Sequence, residues 1–208
     1  MADQIRVIGV GPGNPDYITP VALNMIKNSD ILVGGERVLE LFRDLGRECF
    51  VIKNNLPEMV RFIRERRSAA TVAVLASGDP AFYGILEYLK KQFGSAELLV
   101  VSGLSSIQLA CARLCISWHD AALYSVHGRE IGGLIELVKT CSKVVVLTDP
   151  LKTPSVLARM LSEHNISNKK IYVCENLSYE NELIAEYNLT NVPENAGSKG
   201  CVVMITDE

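Results

Sequence analysis

Short apolar runs alternate with amphipathic stretches through the first half of the chain. Runs at 5–10, 31–33, 49–52, 71–76 and 98–101 predict strands. Between them apolar residues recur at helical spacing; in 57–67 one stripe consists of Met59, Val60, Phe62 and Ile63. Because strands and helices alternate throughout this half, the pattern predicts an α/β domain with a mainly parallel five-stranded sheet.

The second half of the chain has a different order of elements. Helical patterns cover 131–140 and 153–164, and strand-like runs lie at 122–126, 143–147, 171–174, 183–187 and 201–205. Loops rather than helices separate the last strands, so we expect the second sheet to be mixed. The chain is therefore predicted to form two tandem α/β domains, residues 1–117 and 118–208, with a cleft between them.

The composition is that of an ordinary globular protein. Hydrophobic residues make up 48% and charged residues 22% of the 208 positions, and the formal net charge is −3. This balance argues against a protein that binds nucleic acid or an anionic membrane through bulk charge. The uncharged stretch 98–112 is too short to span a bilayer, and the N-terminus lacks an export signal. We therefore expect a cytoplasmic protein.

The cysteines do not indicate a metal site. The chain has six, and none forms a C-x-x-C pair. Cys111, Cys115 and His119 are spaced by one helical turn each, but a metal would need further ligands close by. Buried free thiols are the better interpretation, so no metal bound by the protein itself is expected.

A glycine-rich turn at 9–15 follows the first predicted strand. It begins like the dinucleotide fingerprint G-x-G-x-x-G, but Asn14 stands where the third glycine is required. Pro12 and Pro15 lack backbone donors and disfavour an immediate helix start, which that fingerprint needs to bind pyrophosphate. A nicotinamide site is therefore disfavoured, whereas a turn with a purely structural role is an open alternative.

Two further loops follow predicted strands of the same domain. The loop 77–84 comes after the central strand, and a helix is expected from directly after Pro80 to about Phe93; Asp79 has the alternative role of capping that helix. The loop 102–108 again follows a strand and opens another helix, for which Ser105 or Ser106 is a candidate N-cap. Since the carboxyl ends of parallel strands share one edge of a sheet, the three loops together predict a ligand site.

The three loops together resemble the tetrapyrrole methylase family, which uses S-adenosylmethionine. The family's G-x-G-P-G-x-P turn corresponds to 9–15, its G-D-P loop to 78–80 and its G-[IV]-[ST]-[SA] segment to 103–106. The resemblance covers the whole chain and implies two α/β domains and a homodimer. It also implies that the cofactor is held between the domains in a bent conformation. By position it implies cofactor contacts at Pro12, Gly78, Asp79, Phe82, Ser105, Ser106, Leu147 and Thr148.

Two segments of the second domain resemble one branch of that family. The segments 125–129 and 173–182 are similar to the branch that methylates a corrin-ring carbon in cobalamin biosynthesis. The resemblance thus implies a C-methyltransferase with a small-molecule tetrapyrrole substrate. The alternatives are a methyltransferase of the same fold acting on a diphthamide precursor or ribosomal RNA, and a nucleotide-binding module without catalysis.

Methyl transfer from a sulfonium needs alignment of donor and acceptor rather than a protein nucleophile. We therefore expect no covalent intermediate on Ser105, Ser106 or a cysteine. His127 is the candidate base, because the free pKa of histidine lies near neutrality, although an ordinary cleft or core histidine is an alternative. Arg129 and then Arg37 are the candidate partners of the substrate's carboxylates, and either could instead be a solvated arginine.

Overall fold

The structure is a computed structural model that describes residues 4–126 and 131–207. The chain divides into two compact units, residues 1–105 and 106–208. The predicted boundary after residue 117 falls beyond the first helix of the second unit, Ser106–Leu114. Within the described ranges, no helix combines the length and the apolar character that crossing a membrane requires.

The first unit is built on a parallel sheet. Its elements are β1 (Ile5–Gly9), α1 (Pro20–Lys27), β2 (Ile31–Gly34), α2 (Glu36–Glu40), β3 (Glu48–Val51), α3 (Leu56–Arg66), β4 (Val72–Ala76), α4 (Leu86–Phe93) and β5 (Leu98–Val101). The strand order is β3-β2-β4-β1-β5, and every pairing is parallel. This confirms the predicted five-stranded parallel sheet.

Side-chain alternation along the strands divides the core of this unit between the two faces of the sheet. Val7 and Val74 pack with α3 and α4 on one face. Ile8 and Leu75, one residue further along each strand, pack with α1 and α2 on the other. All four are almost completely buried, as expected for strands covered by helices on both sides.

Arg6 is the one charged residue of β1, and it stabilises the C-terminal end of α1. Its Nη1 donates to the carbonyl oxygens of Met25 at 3.1 Å and Asn28 at 2.6 Å. At the other end of the helix, the Thr19 hydroxyl accepts a hydrogen bond from the Ala22 amide, and Pro20 occupies the first turn. Both ends of α1 are therefore capped by side chains.

The second unit contains a mixed sheet. Its elements are α5 (Ser106–Leu114), β6 (Ala122–Ser125), α6 (Gly132–Thr140), β7 (Lys143–Leu147), α7 (Pro154–Glu163), β8 (Lys169–Glu175), β9 (Leu183–Asn188) and β10 (Val202–Asp207). The order is β6-β7-β10-β8-β9, with β6 and β7 parallel and the other pairs antiparallel. The prediction of a mixed second sheet is confirmed.

Helices cover both faces of this mixed sheet. Val144 and Val203 pack with α6 and α7 in one buried cluster. The next residue of β10, Met204, points to the opposite face and is also fully buried, and α5 packs against β10. Since β6, β7 and β8 run in the same direction, their carboxyl ends share one edge of the sheet.

The helix predicted directly after Pro80 begins later than expected, at Leu86. Two features of the intervening loop prevent an earlier start. Tyr83 has a φ of 52°, which is outside the helical region. A Cβ on Gly84 would lie 2.6 Å from the Pro80 carbonyl oxygen, so the chain folds tightly back at this point. The result is a compact loop that separates β4 from α4.

Candidate functional site

The three glycine-containing loops follow three strands that are neighbours in the sheet. Residues 10–15 follow β1, 77–84 follow β4 and 102–105 follow β5. The order β4-β1-β5 places β1 in the middle. Because the strands are parallel, all three loops lie at one edge of the first unit. The predicted convergence of these loops is therefore present in the structure.

The first two loops are joined by a pair of backbone hydrogen bonds. The Gly78 amide donates to the Gly11 carbonyl oxygen at 2.7 Å, and the Gly11 amide donates to the Gly78 carbonyl oxygen at 3.3 Å. Both residues have positive φ, 79° for Gly11 and 69° for Gly78, a conformation that favours glycine. The glycines in both motifs are thus required by the backbone path.

The third loop contacts the other two at a junction formed by the backbones of Gly9, Gly78 and Gly103. A Cβ on Gly103 would lie 2.2 Å from the Gly78 carbonyl oxygen and 2.8 Å from the Gly9 Cα atom. A Cβ on Gly9 would lie 2.7 Å from the same Gly78 oxygen. No larger residue fits at Gly9 or Gly103 without movement of the backbone, and the close approach of the loops depends on both.

The Asp79 carboxylate connects the second loop to the third. Its Oδ2 accepts a hydrogen bond from the Gly103 amide at 3.2 Å, and its Oδ1 accepts one from the Ala81 amide at 2.7 Å. Because α4 begins only at Leu86, Asp79 caps the turn that follows it rather than that helix. The side chain fixes the geometry of the loops at this edge.

The other predicted cofactor residues of the first unit belong to the same loops. Pro12 lies between the positive-φ residues Gly11 and Gly13 and is half-buried. Phe82 is half-buried, and its ring contacts that of Tyr83. Ser105 is buried, with its Cα 3.8 Å from the position of a Cβ on Gly78. Pro12, Gly78, Asp79, Phe82 and Ser105 are thus all carried by the three linked loops.

Arg37 lies one strand away from these loops. It is an exposed residue of α2, the helix that follows β2, and Gly34 at the end of β2 pairs with Leu75 of β4. Arg37 therefore lies after the carboxyl end of β2, at the same edge of the sheet as the loop that contains Asp79.

In the second unit, three predicted cofactor residues are described. Ser106 is the first residue of α5, and Leu147 is the last residue of β7. Thr148 is buried, and its hydroxyl donates to the Cys201 carbonyl oxygen at 3.0 Å while accepting from the Cys201 amide at 2.8 Å. The Thr148 hydroxyl thus fixes the start of β10.

The candidate base His127 and the candidate cation Arg129 lie outside the described residues. The residue before them, Val126, is buried, and its amide donates to the Leu147 carbonyl oxygen. Its own carbonyl oxygen accepts a hydrogen bond from Lys152 Nζ at 3.0 Å. Lys152 therefore brings a cation to the carboxyl ends of β6 and β7. No sequence motif marks this lysine.

A salt bridge connects α5 to the segment after β8. Arg113 Nε lies 2.7 Å from Glu182 Oε1, and Glu182 Oε2 accepts a hydrogen bond from the Ser178 amide at 2.8 Å. Burial raises the pKa of Glu182, but the Ser178 amide and Arg113 outweigh burial, and the net pKa is below its ordinary value. The stretch 176–182, which is part of the segment 173–182 that resembles one branch of the family, is thus held by an ionised carboxylate.

The surroundings of two thiols in the second unit, Cys174 and Cys201, favour the neutral form of each. Burial raises the pKa of Cys174 to about 12 and that of Cys201 to about 11. At neutral pH both are neutral, and a neutral thiol is a poor nucleophile and a poor metal ligand. Residues 4–126 and 131–207 contain no cluster of three or more His, Cys, Asp or Glu suited to a metal ion.

A cavity of about 560 Å³ lies elsewhere in the second unit. It is lined by α7 residues, including Ser155 and Arg159, and by residues of 189–194. None of the described site residues lines it, so we do not assign the candidate site to this cavity.

Comparisons with known proteins agree with the geometry. A family model described as Tetrapyrrole (Corrin/Porphyrin) Methylases matches residues 4–193. A probable cobalt-precorrin-7 C(5)-methyltransferase of Methanocaldococcus jannaschii is 38% identical over 195 residues, which is 91% of each chain. The cobalt-precorrin-7 C(5)-methyltransferase of Salmonella typhimurium is 35% identical over 205 residues, covering 99% of this chain and 100% of that protein.

A solved structure is also similar over nearly its full length. It is the uroporphyrin-III C-methyl transferase of Thermus thermophilus in complex with S-adenyl homocysteine. The TM-score is 0.78 with 21% sequence identity, covering 98% of this chain and 97% of that one. At this identity the similarity shows a shared fold.

Proposed function

We propose that this chain, which belongs to the tetrapyrrole (corrin/porphyrin) methylase family, methylates C5 of a corrin precursor, cobalt-precorrin-7 or precorrin-7, in cobalamin biosynthesis. The methyl donor is S-adenosylmethionine. The observation that carries the proposal is the junction of Gly9, Gly78 and Gly103, which joins the three family motifs at one sheet edge.

The residues of these loops fit a small polar cofactor. Gly78, Asp79 and Gly103 are partly accessible, while the space between their backbones is too narrow for a Cβ on Gly103. We assign backbone carbonyl oxygens and amides of these loops as groups that contact the ligand. Such dipoles are held in place by the fold and do not need to reorganise when a charged ligand binds.

S-adenosylmethionine supplies an electrophilic methyl group on a positively charged sulfur. The role of this chain is to hold the donor and the ring carbon in line, and positioning of this kind lowers barriers by roughly 7–11 kcal/mol. The Asp79 carboxylate contributes by fixing the second and third loops relative to each other. The high pKa of Cys174 and of Cys201 supports a mechanism without a thiolate intermediate.

We propose that two cationic side chains bind the substrate and that one histidine acts as the base. A corrin precursor carries several carboxylates, and Arg129 and Arg37 are the proposed cations that bind them. His127 is the proposed acceptor of the proton that leaves the ring after methyl transfer. His127 and Arg129 follow β6, at whose end Lys152 is bonded to the Val126 carbonyl oxygen.

We further propose a cytoplasmic homodimer that binds neither nucleic acid nor a membrane and holds no metal of its own. The net charge of −3 supports the absence of binding through bulk charge. The edge strand β5 exposes Leu99 and Val100, which are 37% and 41% exposed in the single chain. Pairing with a second copy would cover such an edge, and light scattering during gel filtration tests the dimer.

A product assay tests the proposed function. The protein is incubated with ¹³C-methyl-labelled S-adenosylmethionine and cobalt-precorrin-7 or precorrin-7, and the product is analysed by NMR. We expect S-adenosylhomocysteine and one labelled methyl carbon attached at C5 of the ring. Labelling of another ring carbon would correct the position. Labelling of a diphthamide precursor or ribosomal RNA instead of the corrin, or binding without any turnover, would overturn the proposal.

Arg129→Ala tests the substrate side of the same assay. We expect KM for the corrin precursor to rise about tenfold, which corresponds to about 1.4 kcal/mol, with little change in KM for S-adenosylmethionine. Arg61→Ala, on the exposed surface of α3, is the control. An unchanged KM in Arg129→Ala would remove Arg129 from the substrate site.

A further inference from the structure

Tyr83 has a strained backbone in the loop that follows β4. Its φ is 52°, in the left-handed region, which is unfavourable for a bulky side chain. Strain of this kind persists only where the surrounding structure imposes it, and it is concentrated at ligand sites.

The loop around Tyr83 is closed by its own backbone. The Phe82 amide donates to the Asp79 carbonyl oxygen at 3.2 Å, and the Leu86 amide donates to the Pro80 carbonyl oxygen at 3.2 Å. Gly84 packs against Pro80 so closely that a Cβ there would lie 2.6 Å from the Pro80 oxygen. These contacts determine the path of the chain through Tyr83.

The aromatic side chains of this loop form a pair with unequal exposure. The rings of Phe82 and Tyr83 are 4.8 Å apart at 77°, an edge-to-face arrangement that is favourable for aromatic groups. Phe82 is half-buried, whereas Tyr83 is 40% exposed. Tyr83 is thus an exposed aromatic residue, held by its neighbour, four residues after Asp79.

We propose that Tyr83 is a substrate-binding residue whose ring packs against the tetrapyrrole. The inference rests on the proposed function and names a contact for that site. A tetrapyrrole has a large, flat, apolar ring with carboxylates at its periphery, and an aromatic ring held in place binds such a surface without losing side-chain freedom.

The exposed position favours the tetrapyrrole over the cofactor as the partner of Tyr83. The groups assigned to the cofactor are the glycine backbones and the half-buried or buried side chains Asp79, Phe82 and Ser105. Tyr83 is the more exposed ring of its pair. The larger ligand, which carries most of the apolar area, is therefore the one expected to cover it.

Tyr83→Gly provides a test in which strain and binding predict opposite effects. Glycine accepts the left-handed conformation, so we expect the variant to unfold at the same temperature as wild type or higher. We expect the Kd for a corrin precursor, measured by absorbance titration, to rise about tenfold. The Kd for S-adenosylmethionine, measured by calorimetry, is expected to stay within about twofold.

Two further variants serve as controls. Tyr83→Phe keeps the ring and is expected to keep the wild-type Kd for the corrin precursor. Cys115→Gly relieves another left-handed conformation, with a φ of 55°, at an exposed residue of the second unit. It is expected to raise the unfolding temperature without changing either Kd.

The outcomes separate this inference from the proposed function. An unchanged corrin Kd in Tyr83→Gly, or a rise in the S-adenosylmethionine Kd alone, would overturn the role of Tyr83. Wild-type protein that binds the corrin precursor without methylating it would overturn the proposed function, and the comparison of Kd values would still decide the role of Tyr83. Wild-type protein that binds no tetrapyrrole would overturn both.

Discussion

A Cβ on Gly9 would lie 2.5 Å from the amide nitrogen of Gly103. The two glycines end β1 and follow β5, and they meet because these strands are adjacent and parallel. Neither has positive φ, so their requirement for glycine comes from the closeness of the two backbones rather than from the local conformation. Atoms far apart in the sequence thus share one narrow contact at the candidate site.

Gly103→Ala is predicted to separate these loops. The methyl group overlaps the Gly78 carbonyl oxygen, so the backbone must move, which costs about 1–3 kcal/mol of unfolding free energy. We expect the Kd for S-adenosylmethionine to rise by at least about tenfold in calorimetry. Gly35→Ala is the matched control, because nothing lies within 4 Å of a Cβ there. Equal cofactor binding by both variants would contradict the proposed site.

The double variant Ser105→Ala Ser106→Ala is predicted to bind the cofactor more weakly and still turn over. These residues mark the end of the third loop and the start of α5, and the proposed mechanism gives their hydroxyls no covalent role. We expect a raised KM for S-adenosylmethionine with kcat at saturation close to wild type. Complete loss of turnover at saturating cofactor would instead indicate a chemical step at one of these serines.

Stability below neutral pH is predicted to depend on Glu182. Because its folded pKa lies below the ordinary value of 4.5, the ionised carboxylate stabilises the fold above that pH. This contribution is lost as the pH falls through the lowered pKa. In urea unfolding, Glu182→Gln should be less stable than wild type near pH 7, and the difference should shrink towards about pH 3.

Glu136→Gln is the control for this prediction. Glu136 forms an ion pair with Lys139 on α6, but its side chain is 73% exposed, and such pairs contribute little. We expect nearly equal stability of this variant and wild type at each pH. A Glu182→Gln difference that does not change with pH would mean that the carboxylate's charge has no part in holding the segment.

Thiol labelling is predicted to separate the cysteines by environment. Cys115 and Cys49 are exposed, whereas Cys174 and Cys201 have pKa values of about 12 and about 11 caused first by burial. With iodoacetamide at about pH 8, mass spectrometry should show Cys115 and Cys49 modified first and the buried Cys174 only after unfolding. The half-buried Cys201 should be modified slowly, because its thiol is neutral at that pH. Rapid modification of Cys174 in folded protein would contradict this assignment.

The sequence was sufficient for the strands and for the three loops. Apolar runs such as 71–76 predicted a central strand because a strand covered on both faces needs no polar alternation, and β4 is Val72–Ala76. Local signals also mark the start of α1, where Thr19 caps the helix and Pro20 has a fixed φ. The mixed second sheet followed from the loops that connect its last strands.

Contacts between distant segments could not be predicted in this way. The pairing of Gly9 with Gly103 depends on strand order, and the bond from Lys152 to Val126 depends on where two loops end. The left-handed conformation of Tyr83 could not be predicted from the sequence, because tyrosine does not favour that conformation. The late start of α4 could not be predicted either, because it depends on the same left-handed residue. The domain boundary at 117 and the roles of the site residues stay predictions.

The hydrogen bonds from Arg6 to the C-terminal end of α1 help to order the first loop before a ligand binds. Residues 9–15 lie between β1, which carries Arg6, and α1, which Arg6 holds at its far end. Both flanks of the turn are therefore immobilised when the protein folds. The conformational entropy of these residues is lost at that stage and not when a ligand binds. An arriving ligand then meets a turn that is already formed, so its association rate should be governed by diffusion and desolvation rather than by loop closure.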